Sequence, residues 1–255
     1  MVLLLFVELD PDLAALRPLG GFFVLRTVVA PAEPSGPPVP TLAQVYGNTT
    51  SDVYRNPMTF RIRKVERALH APETRIAASI AQLGLAARLW SVALGCAALY
   101  GAIPDLDPRL LHWDADASAP DDLLLTEVRP LPGDAAGLAA AVLDGHLEPL
   151  TDVLREDHGP AAGLLWGNAA SALAGAGREL DRWARGEGRT DIAVRAGELT
   201  RELLAHPRLA ATGTLTGTAF RRRSCCLYYR VPGGGVCGDC CFTRPPRSSP
   251  RGASG

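Results

Sequence analysis

The chain has 255 residues, of which 47% are hydrophobic and 21% are charged, with a formal net charge of −1. This length allows one sizeable domain with a real apolar core, and the near-neutral charge gives no support for a nucleic-acid partner. Five of the six cysteines lie between positions 225 and 241, which is not the spaced disulfide framework of a secreted domain. We therefore expect a protein of a reducing compartment.

The first forty residues predict short strands and a loop. Residues 1–7 are apolar, but Glu8 follows at once and no basic start is present, so we expect no export signal and a cytoplasmic protein. A short strand or buried segment is predicted at 1–7, and a second strand at 22–28. Five prolines between 31 and 40 predict a loop or linker.

Residues 72–100 carry the pattern of a long central helix. The apolar residues of its first face recur at alternating steps of four and three, and a second apolar face lies beside it. The run is long enough to cross a membrane, but Arg75 and Arg88 interrupt it, and a central arginine costs about 2.5–3.5 kcal/mol in a bilayer. We expect a core helix that does not span a membrane, with Cys96 as a core residue. The first face comprises Ile76, Ile80, Leu83, Ala87, Trp90 and Leu94.

The middle of the chain predicts two short strands and then helices. Residues 110–114 and 123–128 flank a polar stretch and predict a β-hairpin or a pair of strands. Helices are predicted at 133–144 and 146–156, and a last helix at 191–205, which ends before Pro207. Residues 212–218 predict a turn-rich bridge from which the cysteine segment hangs. The fold class is accordingly mainly α.

The clearest amphipathic helix begins after Gly159-Pro160. Three small residues on it, Gly167, Ser171 and Gly175, recur every fourth position and form a small-residue strip where another backbone can approach closely. Trp166 and Asn168 lie on the same helix. Two interpretations stay open for them: ordinary helix packing, or a place beside a cofactor or substrate.

The cysteine motif is Cys225-Cys226, ten intervening residues, and Cys237-Gly-Asp-Cys240. Two cysteines separated by two residues turn both sulfurs toward one centre, so Cys237 and Cys240 form a half-site for a thiophilic metal. Adjacent cysteines in a regular strand point to opposite faces. Cys225 and Cys226 can therefore share a site only from a bend or irregular loop, or by reaching different irons of a two-iron cluster. Spacing leaves a 2Fe-2S cluster and a structural zinc ion as alternatives.

Glycines and arginines surround the motif. Gly233-Gly234-Gly235 allows the loop to curl back and, we expect, to direct backbone N–H groups at sulfur. A 2Fe-2S cluster held by four thiolates carries a charge of about −2, which becomes about −3 on reduction, so nearby arginines would favour the reduced form. Zinc has no redox step to tune. The arginines are Arg221, Arg222, Arg223 and Arg230.

The segment from Phe220 to Cys240 closely resembles the C-terminal motif of the FhuF-like ferric-siderophore reductases. Residues 75–90 and 165–173 also resemble the helical body of that family. The resemblance implies a 2Fe-2S cluster held by Cys225, Cys226, Cys237 and Cys240. It also implies a helical reductase-like domain at 1–219 and a cluster-binding module at 220–243. Residues 244–255 have no apolar residue large enough to bury, so we expect a disordered tail there. Cys241 departs from the family pattern, which leaves open whether it can replace a neighbouring ligand.

The resemblance further implies the activity. A cytoplasmic reductase of this type passes one electron from its cluster to a ferric siderophore and so converts Fe(III) to Fe(II). The glycine run lacks the spacing and the strand-to-helix context of a nucleotide fingerprint, so we expect an external electron donor such as a ferredoxin or flavoprotein. The alternative function is a non-enzymatic, zinc-stabilised helical interaction module.

Overall fold

The computed structural model describes residues 13–27 and 39–246. It confirms the mainly α fold with a few short strands. The predicted strand at 1–7, most of the proline-rich loop and the end of the predicted tail lie outside the described residues. The helices are α1 (Leu42–Tyr46), α2 (Pro57–Leu69), α3 (Thr74–Tyr100), α4 (Ala135–Leu138), α5 (Glu148–His158), α6 (Ala162–Gly186), α7 (Thr190–Leu204) and α8 (Pro207–Ala210).

Helix α3 is the centre of the fold, as its two apolar faces predict. It packs against α2, α6 and α7, and nearly every residue from Leu85 to Ala98 is buried. Gly101, in the left-handed conformation with φ of +72°, ends the helix where predicted. By length and composition α3 could cross a membrane, but 72% of its most apolar window is buried inside the protein. Burial in a protein core accounts for that composition without a bilayer.

Three small sheets accompany the helices in the described part of the chain. Strand β1 (Arg26–Thr27) pairs in parallel with β4 (Leu123–Leu125), which pairs antiparallel with β3 (Leu111–Trp113). The β3–β4 pair confirms the predicted strands at 110–114 and 123–128. Strand β2 (Ala102–Pro104) pairs antiparallel with β5 (Pro130–Pro132). The strand predicted at 22–28 is much shorter, because backbone hydrogen bonds from Phe23 to Gly20 and from Val24 to Gly21 close turns there.

The two helices predicted at 133–144 and 146–156 form one continuous rod. Helix α4 continues through a π-helical segment, Ala139–Leu147, into α5. Pro149, which has no N–H group to donate, lies where the π-helical segment passes into α5. The π-helical segment buries His146, whose Nε2 lies 2.5 Å from the carbonyl oxygen of Leu106 and whose Nδ1 lies 3.0 Å from the hydroxyl of Tyr46.

The predicted turn-rich bridge at 212–218 is wrong for most of its length. Strand β6 (Gly213–Thr216) pairs antiparallel with β7 (Ala219–Arg222) around a turn at Gly217, whose φ is +60°. Gly213 lies under the ring of Phe220, and a Cβ at that position would be 2.3 Å from the ring. The hairpin fixes the direction of β7, so Arg222 points into the helical body and the next residues begin the cysteine motif.

Candidate metal centre

The five C-terminal thiols form two adjacent groups. The Sγ atoms of Cys225, Cys240 and Cys241 all lie within 4.8 Å of one another. The Sγ atoms of Cys226 and Cys237 are 3.8 Å apart. The structure therefore brings all four predicted ligands into one region, with Cys241 beside them. All five donors are sulfur, a set that suits a thiophilic metal or an iron-sulfur cluster.

The adjacent cysteines Cys225 and Cys226 can reach one site because the chain leaves regular strand geometry after β7. Cys225 and Cys226 lie in an irregular segment, and Leu227 has a left-handed φ of +69°. The N–H group of Leu227 then points back and donates to Cys225 Sγ at 3.2 Å. This bend is one of the two ways in which adjacent cysteines were expected to reach a common site.

The glycine run returns the chain toward the first cysteine pair. Gly233 has φ of +72°, and a Cβ at Gly234 would lie 2.3 Å from the carbonyl oxygen of Tyr228. Only glycine fits that close approach. The described hydrogen bonds join none of these glycine N–H groups to sulfur, contrary to the prediction. Leu227 and Phe242 are among the backbone donors instead, the latter at 3.4 Å from Cys240 Sγ.

Asp239, between Cys237 and Cys240, anchors the loop to helix α6. Its Oδ2 accepts a hydrogen bond of 2.6 Å from Ser171 Oγ, and its Oδ1 lies 3.0 Å from Arg178 Nη1. Its carbonyl oxygen accepts from the backbone N–H of Arg222 at 2.9 Å. Sequence reasoning missed Asp239 as an anchor. The available signal was a carboxylate inside the Cys-x-x-Cys turn opposite a helix that carries Ser171.

The small-residue strip of α6 packs against this segment. A Cβ at Gly167 would lie 2.2 Å from Ser224 Oγ and 3.2 Å from Arg222 Nη2. Ser171, one turn further on, makes the hydrogen bond to Asp239 described above. A backbone segment was predicted to approach this strip closely, and the structure shows that it is the cysteine segment.

A chain of buried polar groups links the helical core to the first cysteine pair. Ser79 Oγ of α3 donates to the carbonyl oxygen of Cys226 at 2.9 Å. Asn168 Nδ2 donates to Ser79 Oγ at 3.0 Å, and Asn168 Oδ1 accepts from Arg222 Nη2 at 2.5 Å. Asn168 thus lies beside the thiol region. Trp166 packs on the core instead, with the Arg208 guanidinium 5.4 Å from its ring centre.

The four arginines have different environments. Arg222 is buried with 2% exposure, whereas Arg221 and Arg223 are exposed and donate to the carbonyl oxygens of Cys241 and Ala211. Arg230 forms an ion pair of 2.5 Å with Glu73. A count of positive charge from the sequence does not distinguish these roles.

Hydrogen bonds among the thiols shift their pKa values in opposite directions. The hydrogen bond with Cys226, helped by the Leu227 N–H group, lowers the pKa of Cys225. Thiol–thiol hydrogen bonds raise the pKa of Cys226 and of Cys237, and burial raises the pKa of Cys241. The thiols are thus close enough to share protons, which a thiophilic metal would displace on binding.

The other residues considered from sequence lie elsewhere. Cys96 is buried in α3 within the apolar core, as expected. His112 Nδ1 lies 2.6 Å from the carbonyl oxygen of Val39, and His206 accepts a hydrogen bond from the N–H of Arg208 at the start of α8. Among the described residues, the thiol cluster is the one group whose geometry suits a metal ion.

Comparison with known proteins identifies the type of cofactor. Residues 222–242 match the family model of the FhuF 2Fe-2S C-terminal domain, and this range includes all five clustered cysteines. No curated protein matches the chain at a significant level. The match and the sulfur-only donor set agree on a 2Fe-2S cluster as the cofactor. The C-terminal segment of the chain is therefore similar to the iron-sulfur domain of the FhuF family, over residues 222–242.

Proposed function

We propose that this protein is a cytoplasmic ferric-siderophore reductase that transfers one electron to the bound Fe(III). The observation that carries the proposal is a paired thiol site at the protein surface, inside the segment that matches an FhuF 2Fe-2S domain. In this proposal the helical body at 1–219 supports a cluster-binding module at 220–243, and residues 244–255 form a tail.

The proposed ligands are Cys225, Cys226, Cys237 and Cys240. The proximity of the sulfur atoms favours two pairs, Cys225 with Cys240 and Cys226 with Cys237, so that each pair holds one iron. A 2Fe-2S cluster in this site supplies the ability to accept and release one electron. The Leu227 and Phe242 N–H groups hold the Cys225 and Cys240 sulfurs in place and stabilise their negative charge.

The surface around the site suits contact with an organic chelate. Cys225, Cys237 and Cys241 are partly exposed, so an electron need not cross a thick protein layer. Three exposed large apolar side chains, Tyr228, Val236 and Phe242, come from the same segment, with exposures of 36–38%. They would shield a docked chelate from water and favour its apolar parts.

Two exposed arginines supply positive charge beside this surface. The guanidinium groups of Arg221 and Arg223 donate only to backbone carbonyl groups among the described residues, so no carboxylate neutralises them. Their charge would attract anionic chelates or an acidic electron donor. We expect this attraction to weaken as salt concentration rises.

The chemistry needs one external electron for each iron released. A reduced ferredoxin or flavoprotein would donate it, the site would pass it on, and Fe(III) in the chelate would become Fe(II). Siderophore oxygen ligands prefer the harder Fe(III), so reduction weakens the chelate and frees the metal.

Anaerobic purification followed by iron, zinc and acid-labile sulfide analysis tests the cofactor. We expect two irons and two sulfides per chain, and a visible spectrum that dithionite bleaches. Cys237→Ser should lose this spectrum, and the matched control Cys96→Ser should keep it. Stoichiometric zinc without sulfide would overturn the redox proposal in favour of a zinc-stabilised interaction module.

Mixing the dithionite-reduced protein with ferric siderophores tests the activity. We expect the visible absorption to return while a coloured Fe(II) chelator traps the product, with one Fe(II) formed per reduced cluster. If no ferric hydroxamate, catecholate or carboxylate chelate reoxidises the protein, the reductase assignment fails although the iron-sulfur assignment stands.

A further inference from the structure

Arg222 is buried beside the thiol site with three of its five N–H groups unused. Its side chain is 2% exposed, and its Nη2 donates to Asn168 Oδ1 at 2.5 Å and to the Leu164 carbonyl oxygen at 3.3 Å. Its Nε and Nη1 are buried and have no hydrogen-bond partner among the described residues. Buried donors of this kind are costly unless a partner satisfies them.

No carboxylate compensates this charge. Over residues 13–27 and 39–246, none of the ion pairs involves Arg222. The two groups that accept hydrogen bonds from its side chain, the Leu164 carbonyl oxygen and Asn168 Oδ1, are neutral. Placing a guanidinium in a protein interior costs several kcal/mol unless an anion pairs with it. A guanidinium cannot lose its proton to avoid this cost. The structure therefore needs an anion near Arg222 that the protein part of the site does not supply.

The candidate for that anion is the thiol site itself. The backbone of Arg222 bonds to Asp239, between two proposed ligands, and Asn168 and Ser79 connect its guanidinium to the carbonyl group of Cys226. Thiol–thiol hydrogen bonds raise the pKa of Cys226 and of Cys237, burial raises the pKa of Cys241, and the positive charge of Arg222 opposes all three rises. The guanidinium is thus within electrostatic range of both groups of sulfur atoms.

We propose that Arg222 is the buried counter-charge of the 2Fe-2S cluster and that it holds the reduction potential higher than a neutral side chain would. The cluster with four thiolates carries about −2 when oxidised and about −3 when reduced. A fixed positive charge in a low-dielectric interior stabilises the more negative state more strongly. Asn168 and Ser79 act as positioning residues, because they orient the guanidinium and the Cys226 backbone.

The inference rests on the iron-sulfur cofactor and makes no use of the ferric substrate. Its test is therefore the midpoint potential, measured anaerobically with redox dyes and followed by visible absorption and by the electron paramagnetic resonance signal of the reduced cluster. Failure to reduce siderophores would contradict the proposed function without affecting this measurement.

Arg222→Gln is the first variant. We expect its one-electron equilibrium to shift at least tenfold toward the oxidised state, which corresponds to about 59 mV for one electron. Arg223→Gln is the matched control, since the neighbouring arginine is exposed and bonds to the Ala211 carbonyl oxygen, and its shift should stay below threefold. Equal shifts in the two variants would overturn the proposal.

Two further variants keep the proposal testable if Arg222→Gln does not load a cluster. Arg222→Lys keeps the charge and should remain within threefold of the wild-type equilibrium. Asn168→Asp adds a carboxylate at the atom that Arg222 Nη2 contacts, so the guanidinium is neutralised by the protein, and the equilibrium should shift toward the oxidised state by at least tenfold. An unchanged potential in Asn168→Asp, with its spectrum intact, would contradict the proposed charge balance.

Discussion

The positive charges of two buried arginines, Arg88 and Arg222, are surrounded by different partners. Arg88 in the middle of α3 is 1% exposed, and its Nε lies 2.9 Å from Oδ1 of the buried Asp122. Its Nη1 donates to the carbonyl oxygens of Phe22 and Gly21, so only Nη2 has no partner among the described residues. Arg222 is equally inaccessible, but the two groups that accept its side-chain hydrogen bonds are neutral.

The difference distinguishes a region whose buried charges are balanced by the polypeptide alone from a region that needs its cofactor for that balance. Around Arg88 the chain supplies both charges, so this region is balanced without any ligand. Around Arg222 the chain supplies only the positive charge, and the cluster-bound thiolates would supply the negative one. We therefore expect stability at the Arg88 side to depend on side chains, and at the Arg222 side to depend also on cluster loading.

The largest effect is expected on breaking the Arg88 pair. Asp122→Ala leaves a buried guanidinium without its anion and should lower the free energy of unfolding by about 3–5 kcal/mol, measured by urea denaturation of the loaded protein. Asp121→Ala is the matched control, because Asp121 forms a surface ion pair with Arg26 and such pairs contribute about 0–1 kcal/mol. Similar losses in both variants would mean that the buried pair has no special importance.

Acid should lower the free energy of unfolding because His146 becomes protonated in the unfolded chain. Burial lowers the pKa of this imidazole from 6.5 to about 4, so the folded state keeps it neutral while the unfolded chain takes up a proton. The stability contributed by neutral His146 is present above pH 6.5 and is lost as pH falls toward 4, by up to about 3 kcal/mol. Neutral His146 donates from Nε2 to the Leu106 carbonyl oxygen and accepts the Tyr46 hydroxyl at Nδ1.

Urea denaturation between pH 7.5 and 4.5 measures this dependence. His146→Gln keeps a polar side chain but removes the titration, so the loss of stability with acid should be shallower than in the wild type. An identical slope would assign the acid sensitivity to other groups, such as His158, whose pKa burial also lowers.

A smaller effect is expected from a methyl group placed between α6 and Arg222. Gly167→Ala puts a Cβ 2.2 Å from Ser224 Oγ and 3.2 Å from Arg222 Nη2, so the cysteine segment must shift outward. We expect a loss of about 1–3 kcal/mol and faster bleaching of the cluster in air. Gly175→Ala, two turns further along, meets nothing closer than 3.9 Å and should be neutral or stabilising by up to about 1 kcal/mol. Equal bleaching rates would argue against close packing at Gly167.

The smallest effect is expected from the fifth thiol. Cys241 lies in the same sulfur group as Cys225 and Cys240, but it is more exposed than Cys240 and falls outside the four-cysteine motif. Cys241→Ser should leave the visible spectrum and the potential unchanged, whereas Cys240→Ser should lose or alter both. A colourless Cys241→Ser protein would show that this thiol, rather than Cys240, completes the site.

Much of the fold followed from local patterns in the sequence. The apolar periodicity of α3, α6 and α7 predicts helices within a few residues of their observed ends, because side chains three and four positions apart share a face whatever surrounds them. Gly101 ends α3 as predicted, since a left-handed residue is a local requirement. The errors concern segments with weak sequence patterns. The β6–β7 hairpin was not predicted, and the strand predicted at 22–28 is longer than the observed β1.

The candidate site also combines features that the sequence predicted with features that it did not predict. Sequence alone indicated which cysteines belong together and which cofactor class they fit, because thiol spacing and the FhuF-like motif are contained in a short segment. It indicated that small residues on α6 allow a close approach, but it did not identify the approaching segment. The motif contains the Asp239 carboxylate, but it does not identify the partners of that carboxylate or the two groups into which the thiols fall.

The charge of four neighbouring arginines was visible in the sequence, and the burial of only one of them was decided by tertiary structure. The β6–β7 hairpin directs Arg222 inward onto α6, where it bonds to Asn168, which in turn bonds to Ser79 of α3, and both helices are far away in sequence. Such contacts depend on how separate elements pack, and no local pattern encodes that arrangement. Residue type and spacing therefore determined the chemistry available to this protein, while packing decided which charge lies beside its sulfur atoms.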